Sequence, residues 1–288
     1  MTMTLHELYN KACRMLEETG VPDAAYDAFR LIQFITGIDR SDLIADGERQ
    51  IDDRQTEKCL RLLKKRATRI PLQHLTGETE FMGLSFTVNP DVLIPRPDTE
   101  ILVETALEKA AGKRGGNILD IGCGSGCVLI SLLHYLNHGS SEPLWKGVGS
   151  DISSSVLKTA RINGKRNHQE ALITWVQSDL FEEIPSETYT LIVSNPPYIP
   201  SDVIEELEPE VRCHDPIRAL DGGEDGLSFY RQMIPRASRY LGPEGWLIVE
   251  IGFDQKAPVA ELFSQHGFSG IECRRDLAGL DRVIAGHM

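Results

Sequence analysis

The sequence predicts an α/β protein with a doubly wound, mostly parallel sheet, preceded by a small all-α domain. Seven apolar stretches in the second part of the chain alternate with helical patterns, and strands that alternate with helices form such sheets. Before these stretches, the pattern is helical up to about Arg69. With 288 residues, of which 41% are hydrophobic, the chain is long enough for two domains.

The helical domain is predicted to span residues 1–75. Its apolar residues recur at the spacing of one helix face, as at Leu5, Leu8, Ala12 and Leu16. This segment carries none of the usual catalytic signatures. We therefore expect the chemistry to reside in the remainder of the chain.

Residues 76–96 show a different pattern. Apolar and polar residues alternate from Phe81 to Val88 around Gly83, which predicts a hairpin. The turn-forming stretch "NPD" then closes it. We interpret residues 76–96 as a hairpin linker and residues 97–288 as the second domain.

The second domain begins with a predicted helix, Ile101 to Ala111, and continues with strands and helices in alternation. Long apolar runs such as "TLIVS" are typical of strands that are covered on both faces of a parallel sheet. The seven predicted strands lie in the stretches "NILDIG", "GVGSDIS", "LITWVQSDLF", "YTLIVSNPP", "GWLIVEIG", "GIECRRDLAG" and "RVIAGH".

Charge and composition disfavour several classes of protein. The chain has 30 Lys and Arg against 43 Asp and Glu, a formal net charge of -13, which argues against a protein that mainly grips nucleic-acid phosphates. It has no basic start followed by an apolar stretch, and no run of about 18 apolar residues. We expect a cytoplasmic protein without membrane attachment. The six cysteines lack paired metal-ligand spacing, so we expect free thiols and no metal site.

A glycine-rich loop follows the first strand, with the pattern Asp120-x-Gly122-x-Gly124-x-Gly126. A dinucleotide-binding fingerprint needs a third glycine where Cys127 stands, and no Lys-Ser/Thr follows for a P-loop. The pattern is similar to the loop that Rossmann-like methyltransferases place under S-adenosylmethionine. Glycine lets the backbone approach a ligand that any Cβ would push away. The predicted cofactor-binding residues of this loop are Gly122, Cys123, Gly124, Ser125 and Gly126.

Acidic residues stand at the ends of the next two strands. Asp151 ends the second strand, where its carboxylate can accept both ribose hydroxyls, and Asp179 precedes Leu180 after the third. The segment around Leu180 offers a side chain and backbone to the adenine. Each acid by itself is equally a candidate helix cap. The two roles are compatible, and their order after the glycine loop favours cofactor binding by Asp151, Asp179 and Leu180.

The stretch Asn195-Pro196-Pro197-Tyr198 ends an apolar strand, because proline has no N–H to give a ladder. Ligands bind at this end of the strands in open α/β sheets. The Asn195 side-chain oxygen and the Pro196 carbonyl can both accept hydrogen bonds from one NH2 group and so direct its poorly nucleophilic nitrogen. Tyr198 offers a flat face to a planar group. These four residues are predicted to be catalytic, with Asn195 also beside the cofactor and no general base required.

Together these segments resemble the N5-glutamine methyltransferases that modify peptide chain release factors. The resemblance covers nearly the whole chain, in the stretches "IPLQHLTGETEFMGLSF", "LIPRPDTEILVE", "DIGCGSG", "VSNPPYI", "HDPIRALDGGEDGLSFYR" and "RDLAGLDRVIAGH". It implies that Gly122 to Gly126 and Asp151 bind S-adenosylmethionine and that Asn195 to Tyr198 hold a glutamine amide. The family commonly has Thr where Cys123 stands and an aromatic residue where Leu180 stands, so a stacking surface for adenine is missing here.

The resemblance also implies a substrate, the glutamine of the Gly-Gly-Gln motif in class 1 peptide chain release factors, whose methylation supports translation termination. The helical domain is then expected to recognise the release factor. The chemistry alone leaves open a ribosomal-protein glutamine or a DNA or RNA exocyclic amine, because Asn-Pro-Pro-Tyr is shared with enzymes that methylate adenine and cytosine. Arg96, Pro97 and Thr99 match the family segment and either line the pocket or stabilise the domain junction. We expect a monomer without a stable nucleic-acid partner.

Overall fold

The computed structural model describes residues 3–139 and 142–288. Its helices are α1 (Leu5–Glu17), α2 (Ala24–Thr36), α3 (Arg40–Ala45), α4 (Asp53–Ala67), α5 (Leu72–Thr76), α6 (Glu100–Ala110), α7 (Cys127–Leu136), α8 (Ser154–Arg166), α9 (Pro209–Arg212), α10 (Ser228–Ala237) and α11 (Lys256–Gln265). Its strands are β1 (Met3–Thr4), β2 (Gln50–Ile51), β3 (Glu78–Phe81), β4 (Leu84–Thr87), β5 (Gly116–Ile121), β6 (Trp145–Asp151), β7 (Ile173–Gln177), β8 (Tyr189–Ser194), β9 (Leu241–Glu250), β10 (Ser269–Arg275) and β11 (Asp281–His287).

The chain divides into two compact units. The first comprises Met1–Gly77 and Glu208–His214, and the second comprises Glu78–Leu207 and Asp215–Met288. In the first unit, α1, α2 and α4 pack their apolar faces into one core. The residues predicted to share one face of α1 are buried there, namely Leu5, Leu8, Ala12 and Leu16. The functional roles of the predicted domains stay predictions.

A buried ion pair joins α2 to α4 in the first unit. Arg66 Nε donates to Asp27 Oδ2 at 2.6 Å, and both side chains are almost fully buried. Glu210, in the same unit, accepts from Arg66 Nη2 at 2.9 Å and from Arg69 Nε at 2.6 Å. Burial raises the pKa of Asp27 more than the hydrogen bond from Arg66 lowers it. Removing Asp27 would leave Glu210 as the remaining countercharge of the buried Arg66 guanidinium.

Asp27→Asn is therefore expected to destabilise the first unit by about 2 to 3 kcal/mol, because Arg66 keeps Glu210 but loses the charge of the buried carboxylate that accepts from its Nε. Hydrogen–deuterium exchange of the full-length chain measures this locally, and the slowest amides of α2 and α4 should exchange about a hundredfold faster. Asp225→Asn is the matched control, because Asp225 pairs with Arg231 on the surface of the second unit and exposed pairs contribute little. Unchanged exchange in α2 and α4 would show that the pair does not stabilise this unit.

The second unit contains the predicted sheet. Its strand order is β10-β11-β9-β8-β5-β6-β7. Strands β9, β8, β5, β6 and β7 are parallel, whereas β11 runs antiparallel to its neighbours β9 and β10. All seven predicted strands belong to this sheet, so the prediction of a doubly wound, mostly parallel α/β fold is confirmed.

The order of the strands locates the topological switch point. After β7, at one edge of the sheet, the chain returns to form β8 on the other side of β5. The switch point therefore lies between the carboxyl ends of β5 and β8, and ligands bind at such points in open sheets. Ser194 Oγ donates to Ile121 O at 2.7 Å and ties the two strand ends together.

The predicted hairpin is formed by β3 and β4 and belongs to the second unit. Thr87 N donates to Asn163 Oδ1 at 2.7 Å, and Asn163 Nδ2 donates to Thr87 O and to Ser125 O, both at 2.9 Å. Asn163 is fully buried in α8. This one side chain thus connects the hairpin to the glycine loop.

Two general features concern the part of the chain that the structure describes. None of its helices is both long and apolar enough to cross a membrane. Across the same residues, no three His, Cys, Asp or Glu side chains are grouped so that they could hold a metal ion. The six cysteines are free thiols.

Candidate active site

The glycine loop runs from the end of β5 to the start of α7. Gly122, Gly124 and Gly126 have φ angles of +70°, +53° and +81°, a region that L side chains rarely adopt. A Cβ at Gly122 or Gly124 would meet no atom within 4 Å, whereas one at Gly126 would lie 2.9 Å from the Trp175 ring. The first two glycines thus present bare backbone to open space, and the third lets α7 pack closely.

Asp151, at the end of β6, connects the glycine loop to α8. Its Oδ2 accepts from Gly124 N at 3.2 Å, and its Oδ1 accepts from Ser153 N at 3.0 Å. Burial raises the pKa of Asp151, although these hydrogen bonds lower it. The residue that caps α8 is Ser153, whose side chain accepts from Val156 N. Each Asp151 oxygen retains a second lone pair, so the carboxylate can still accept from a ligand hydroxyl.

Asp120, the last acid before the glycine loop, is buried beneath it. Its Oδ2 has no hydrogen-bond partner within the described residues. Burial raises the pKa of Asp120 to about 7. A buried oxygen without a partner at the wall of a cavity is a site for a donor group of a ligand, because an unsatisfied polar atom is costly.

The segment after β7 brings Asp179 and Leu180 to the same edge of the sheet. Leu180 is buried and has a φ of +49°, which is strained for a bulky residue. Ser178 Oγ donates to Leu180 O at 3.1 Å and accepts from Glu183 N at 3.0 Å, which fixes this turn. Asp179 is exposed. Strained backbone of this kind is concentrated at ligand sites.

Asn195 directly follows β8. Its Nδ2 donates to Thr99 Oγ1 at 3.0 Å. This bond uses the amino end of the amide, so Oδ1 is directed elsewhere. Pro196 and Pro197 are buried and stiffen the chain behind it.

Tyr198 ends the motif and turns its hydroxyl to Glu250, the last residue of β9. Tyr198 Oη donates to Glu250 Oε1 at 3.2 Å. Burial raises the pKa of Glu250 to about 7, although the nearby hydroxyls of Thr99 and Tyr198 and the positive charge of Arg282 lower it. Burial likewise raises the pKa of Tyr198. The tyrosine hydroxyl is therefore a donor at neutral pH.

These strand ends form a cavity of about 730 Å³ inside the second unit, a size that suits a small-molecule ligand. The predicted site residues in its wall are Gly122, Cys123, Gly124, Ser125, Asp151, Asp179, Leu180, Asn195 and Pro197. Gly126, Pro196 and Tyr198 are not part of the wall. Arg96 and Thr99 also line it.

Some residues at the site have no counterpart in the sequence analysis. Glu250 is one, and its only signal is a single acid inside the apolar stretch "WLIVEIG". Others are the wall residues 90–93, which we interpreted as part of a linker, and the turn Ile217–Ala219. No local sequence pattern predicts that these two segments line the cavity, because only the three-dimensional path of the chain brings them there.

A sheet with this strand order, whose glycine loop and Asn-Pro-Pro-Tyr segment meet at one switch point, belongs to the class of Rossmann-like methyltransferases. Comparison with known proteins narrows this class. The PrmC N-terminal domain family matches residues 7–77, and the methyltransferase small domain family matches residues 97–209.

Close relatives cover almost the entire chain. It is 41% identical over 273 residues to the release factor glutamine methyltransferase of Geobacter sulfurreducens and 40% identical over 277 residues to that of Agrobacterium fabrum. Each match covers 95% of this chain and 93% of the relative. The chain belongs to the release factor glutamine methyltransferase family and is a methyltransferase, which confirms the resemblance found in the sequence.

A solved structure shows the same fold at low sequence identity. The hMettl16 catalytic domain, in complex with MAT2A 3'UTR hairpin 6, matches with a TM-score of 0.58 over 93% of each chain. The two sequences are 18% identical. This similarity shows a shared fold and gives no information about the substrate.

Proposed function

We propose that the protein methylates the side-chain amide nitrogen (N5) of the glutamine in the Gly-Gly-Gln motif of class 1 peptide chain release factors. The observation that carries the proposal is the Asn195 amide, whose Nδ2 is bound to Thr99 so that Oδ1 is left for the NH2 group of an acceptor. The names of the relatives support a release factor as the substrate. Such an activity supports translation termination in the cytoplasm.

The proposed cofactor is S-adenosylmethionine, which supplies the methyl group when bound. The residues of the cavity fit this molecule. Gly122 and Gly124 leave room for the cofactor to approach their backbone closely. Asp120 Oδ2 has no hydrogen-bond partner within the described residues and can accept from a donor group of the cofactor. Asp151 has lone pairs for ribose hydroxyls. In the wall, Asp179 and Leu180 are the proposed neighbours of the adenine.

At the accepting end, Asn195 Oδ1 and the Pro196 carbonyl are proposed to accept one hydrogen bond each from the glutamine NH2. An amide nitrogen is a poor nucleophile, because its lone pair is delocalised. Two fixed acceptors direct its hydrogens and favour the pyramidal form on the way to the transition state. The buried prolines preorganise this array. The nitrogen can lose its proton after the new bond has formed, so no general base is needed.

The first unit is proposed to recognise the body of the release factor, while the second holds the glutamine and the cofactor. The PrmC N-terminal domain match over residues 7–77 marks this segment as a domain distinct from the methyltransferase domain. We further propose that the chain acts as a monomer.

The test is transfer of labelled methyl from S-adenosylmethionine to a purified class 1 release factor. The same factor with its Gly-Gly-Gln glutamine replaced by alanine is assayed in parallel. We expect label on the first and none on the second. Label on neither, with label on a ribosomal protein or on nucleic acid offered in the same experiment, would refute the proposed substrate and leave the fold unaffected.

A further inference from the structure

A buried carboxylate stands next to the proposed methyl-accepting motif. Glu250 is 1% exposed at the end of β9, beside β8, and follows the fully buried residues Leu247, Ile248 and Val249. Burying a carboxylate in such surroundings is costly unless it is hydrogen-bonded. Glu250 Oε1 accepts from Tyr198 Oη at 3.2 Å. The carboxylate therefore anchors one end of the Asn-Pro-Pro-Tyr motif.

Thr99 binds the other end of the motif. It is 3% exposed, and its Oγ1 accepts from Asn195 Nδ2 at 3.0 Å. The Thr99 hydroxyl also lies near Glu250 and lowers the pKa of that carboxyl. The two ends of the motif thus meet two neighbouring groups, Thr99 and Glu250.

The position of Thr99 is itself fixed. It ends the short 3-10 turn Pro97–Thr99. The adjacent Asp98 forms an ion pair with Arg282 at 3.3 Å, and Arg282 also pairs with Asp276 at 2.9 Å. Because Arg282 belongs to β11, the turn is held against the sheet. Thr99 has little freedom to move away from Asn195.

The hydrogen-bond directions in this cluster follow from the chemistry of its members. Burial raises the pKa of Tyr198, so its hydroxyl keeps its proton and donates to Glu250 Oε1. The Thr99 hydroxyl oxygen has two lone pairs, and it accepts from the NH2 end of the Asn195 amide. With the amide reversed, two NH2 groups would face each other at the proposed acceptor site, and neither can accept.

We propose that Thr99 and Glu250 are positioning residues: Thr99 fixes the Asn195 amide with its oxygen toward the methyl-accepting nitrogen, and Glu250 holds the other end of the same motif through Tyr198. The inference rests on the proposed function for the identity of the acceptor. The orientation of Asn195, however, is a property of the protein alone and can be measured without any acceptor.

The first experiment observes that orientation directly. The protein is labelled with 15N-asparagine, and the NMR signals of the Asn195 side-chain NH2 are assigned as those missing from Asn195→Ala. The rate at which these NH2 hydrogens exchange with solvent is then measured. We expect at least about tenfold faster exchange in Thr99→Val, which keeps the volume but removes the acceptor oxygen, and slow exchange again in Thr99→Ser. Equal exchange in the wild type and Thr99→Val would overturn the proposal.

The second experiment compares kinetics of methyl transfer to a release factor. Thr99→Val should lower kcat by about tenfold to a hundredfold, because Asn195 is then misoriented. The Kd for S-adenosylmethionine should stay unchanged. Thr99→Ser should recover most of the lost kcat. Glu250→Leu should lower kcat as well, because it removes the oxygen that accepts from Tyr198 Oη. Combined with Thr99→Val it should add little, since both changes act on one motif.

Thr105→Val is the matched control, because Thr105 is also fully buried and, among the described residues, its Oγ1 donates to Ile101 O within α6 at 2.7 Å. Its kcat should equal that of the wild type. The positioning role would be refuted if Thr99→Val had the kcat of the wild type, or if Thr99→Ser did not recover the kcat that Thr99→Val loses. It would also be refuted if Thr99→Val lost as much affinity for the cofactor as it lost kcat. A wild-type protein that labels no release factor would instead refute the proposed function, and the exchange measurement would still decide the orientation.

Discussion

Asn195→Ala is expected to lower kcat for methyl transfer to a release factor by about a hundredfold to a thousandfold, the range found when one preorganised hydrogen-bonding group is removed from a transition state. The substitution deletes the oxygen that is proposed to direct the glutamine NH2. It leaves the glycine loop and Asp151 intact, so the Kd for S-adenosylmethionine should stay within about twofold of the wild-type value. Single-turnover kinetics and titration calorimetry on the same preparations measure the two quantities.

Asn117→Ala serves as the control for this experiment. Asn117 lies near the start of β5, at the end of the sheet opposite the cavity, and its side chain makes a long hydrogen bond of 3.4 Å to Glu187. Asn117→Ala should change neither kcat nor the Kd for S-adenosylmethionine. If Asn195→Ala weakened cofactor binding as much as it lowered kcat, Asn195 would act on the cofactor and the acceptor role would be wrong.

The main parts of the fold and cavity could be predicted from local sequence, for a physical reason. In a parallel sheet the carboxyl ends of the strands share one edge, so residues that follow separate strands are brought together without any knowledge of side-chain packing. This is why Gly122, Asp151, Leu180 and Asn195, each just after or at the end of a strand, all line one cavity. The number of strands followed from the alternation of apolar runs with helices.

The partners of these residues could not be predicted in the same way. Thr99 meets Asn195 across 96 positions of sequence, and Glu250 meets Tyr198 across 52. Glu210 reaches Arg66 across 144 positions. Each of these contacts depends on rotamers and on the packing of segments that have no common local pattern. The sequence shows Glu250 as a single acid within an apolar strand, but it does not show that Tyr198 is its partner.

Asp151→Asn is expected to raise the Kd for S-adenosylmethionine by about tenfold to a hundredfold, the cost of one or two hydrogen bonds to a charged group. Both carboxylate oxygens already accept from backbone, Oδ2 from Gly124 N and Oδ1 from Ser153 N. An amide keeps one of these oxygens and turns a donor toward the other N–H. Either the contact with the Gly124 N–H of the loop or the contact with the Ser153 N–H must then be lost, and the amide NH2 cannot accept from a ribose hydroxyl. At saturating cofactor kcat should change little, because Asp151 does not belong to the accepting end.

Glu187→Gln is the matched control, because Glu187 precedes β8 at the opposite end of the sheet and bonds weakly to Asn117. Its Kd should equal that of the wild type. The melting temperature of the ligand-free protein separates the two roles that the sequence left open for Asp151. A fall in melting temperature with an unchanged Kd would mean that Asp151 only braces the glycine loop and the start of α8. A raised Kd in a protein that melts normally would support direct contact with the cofactor, since bracing alone cannot weaken binding without loosening the loop.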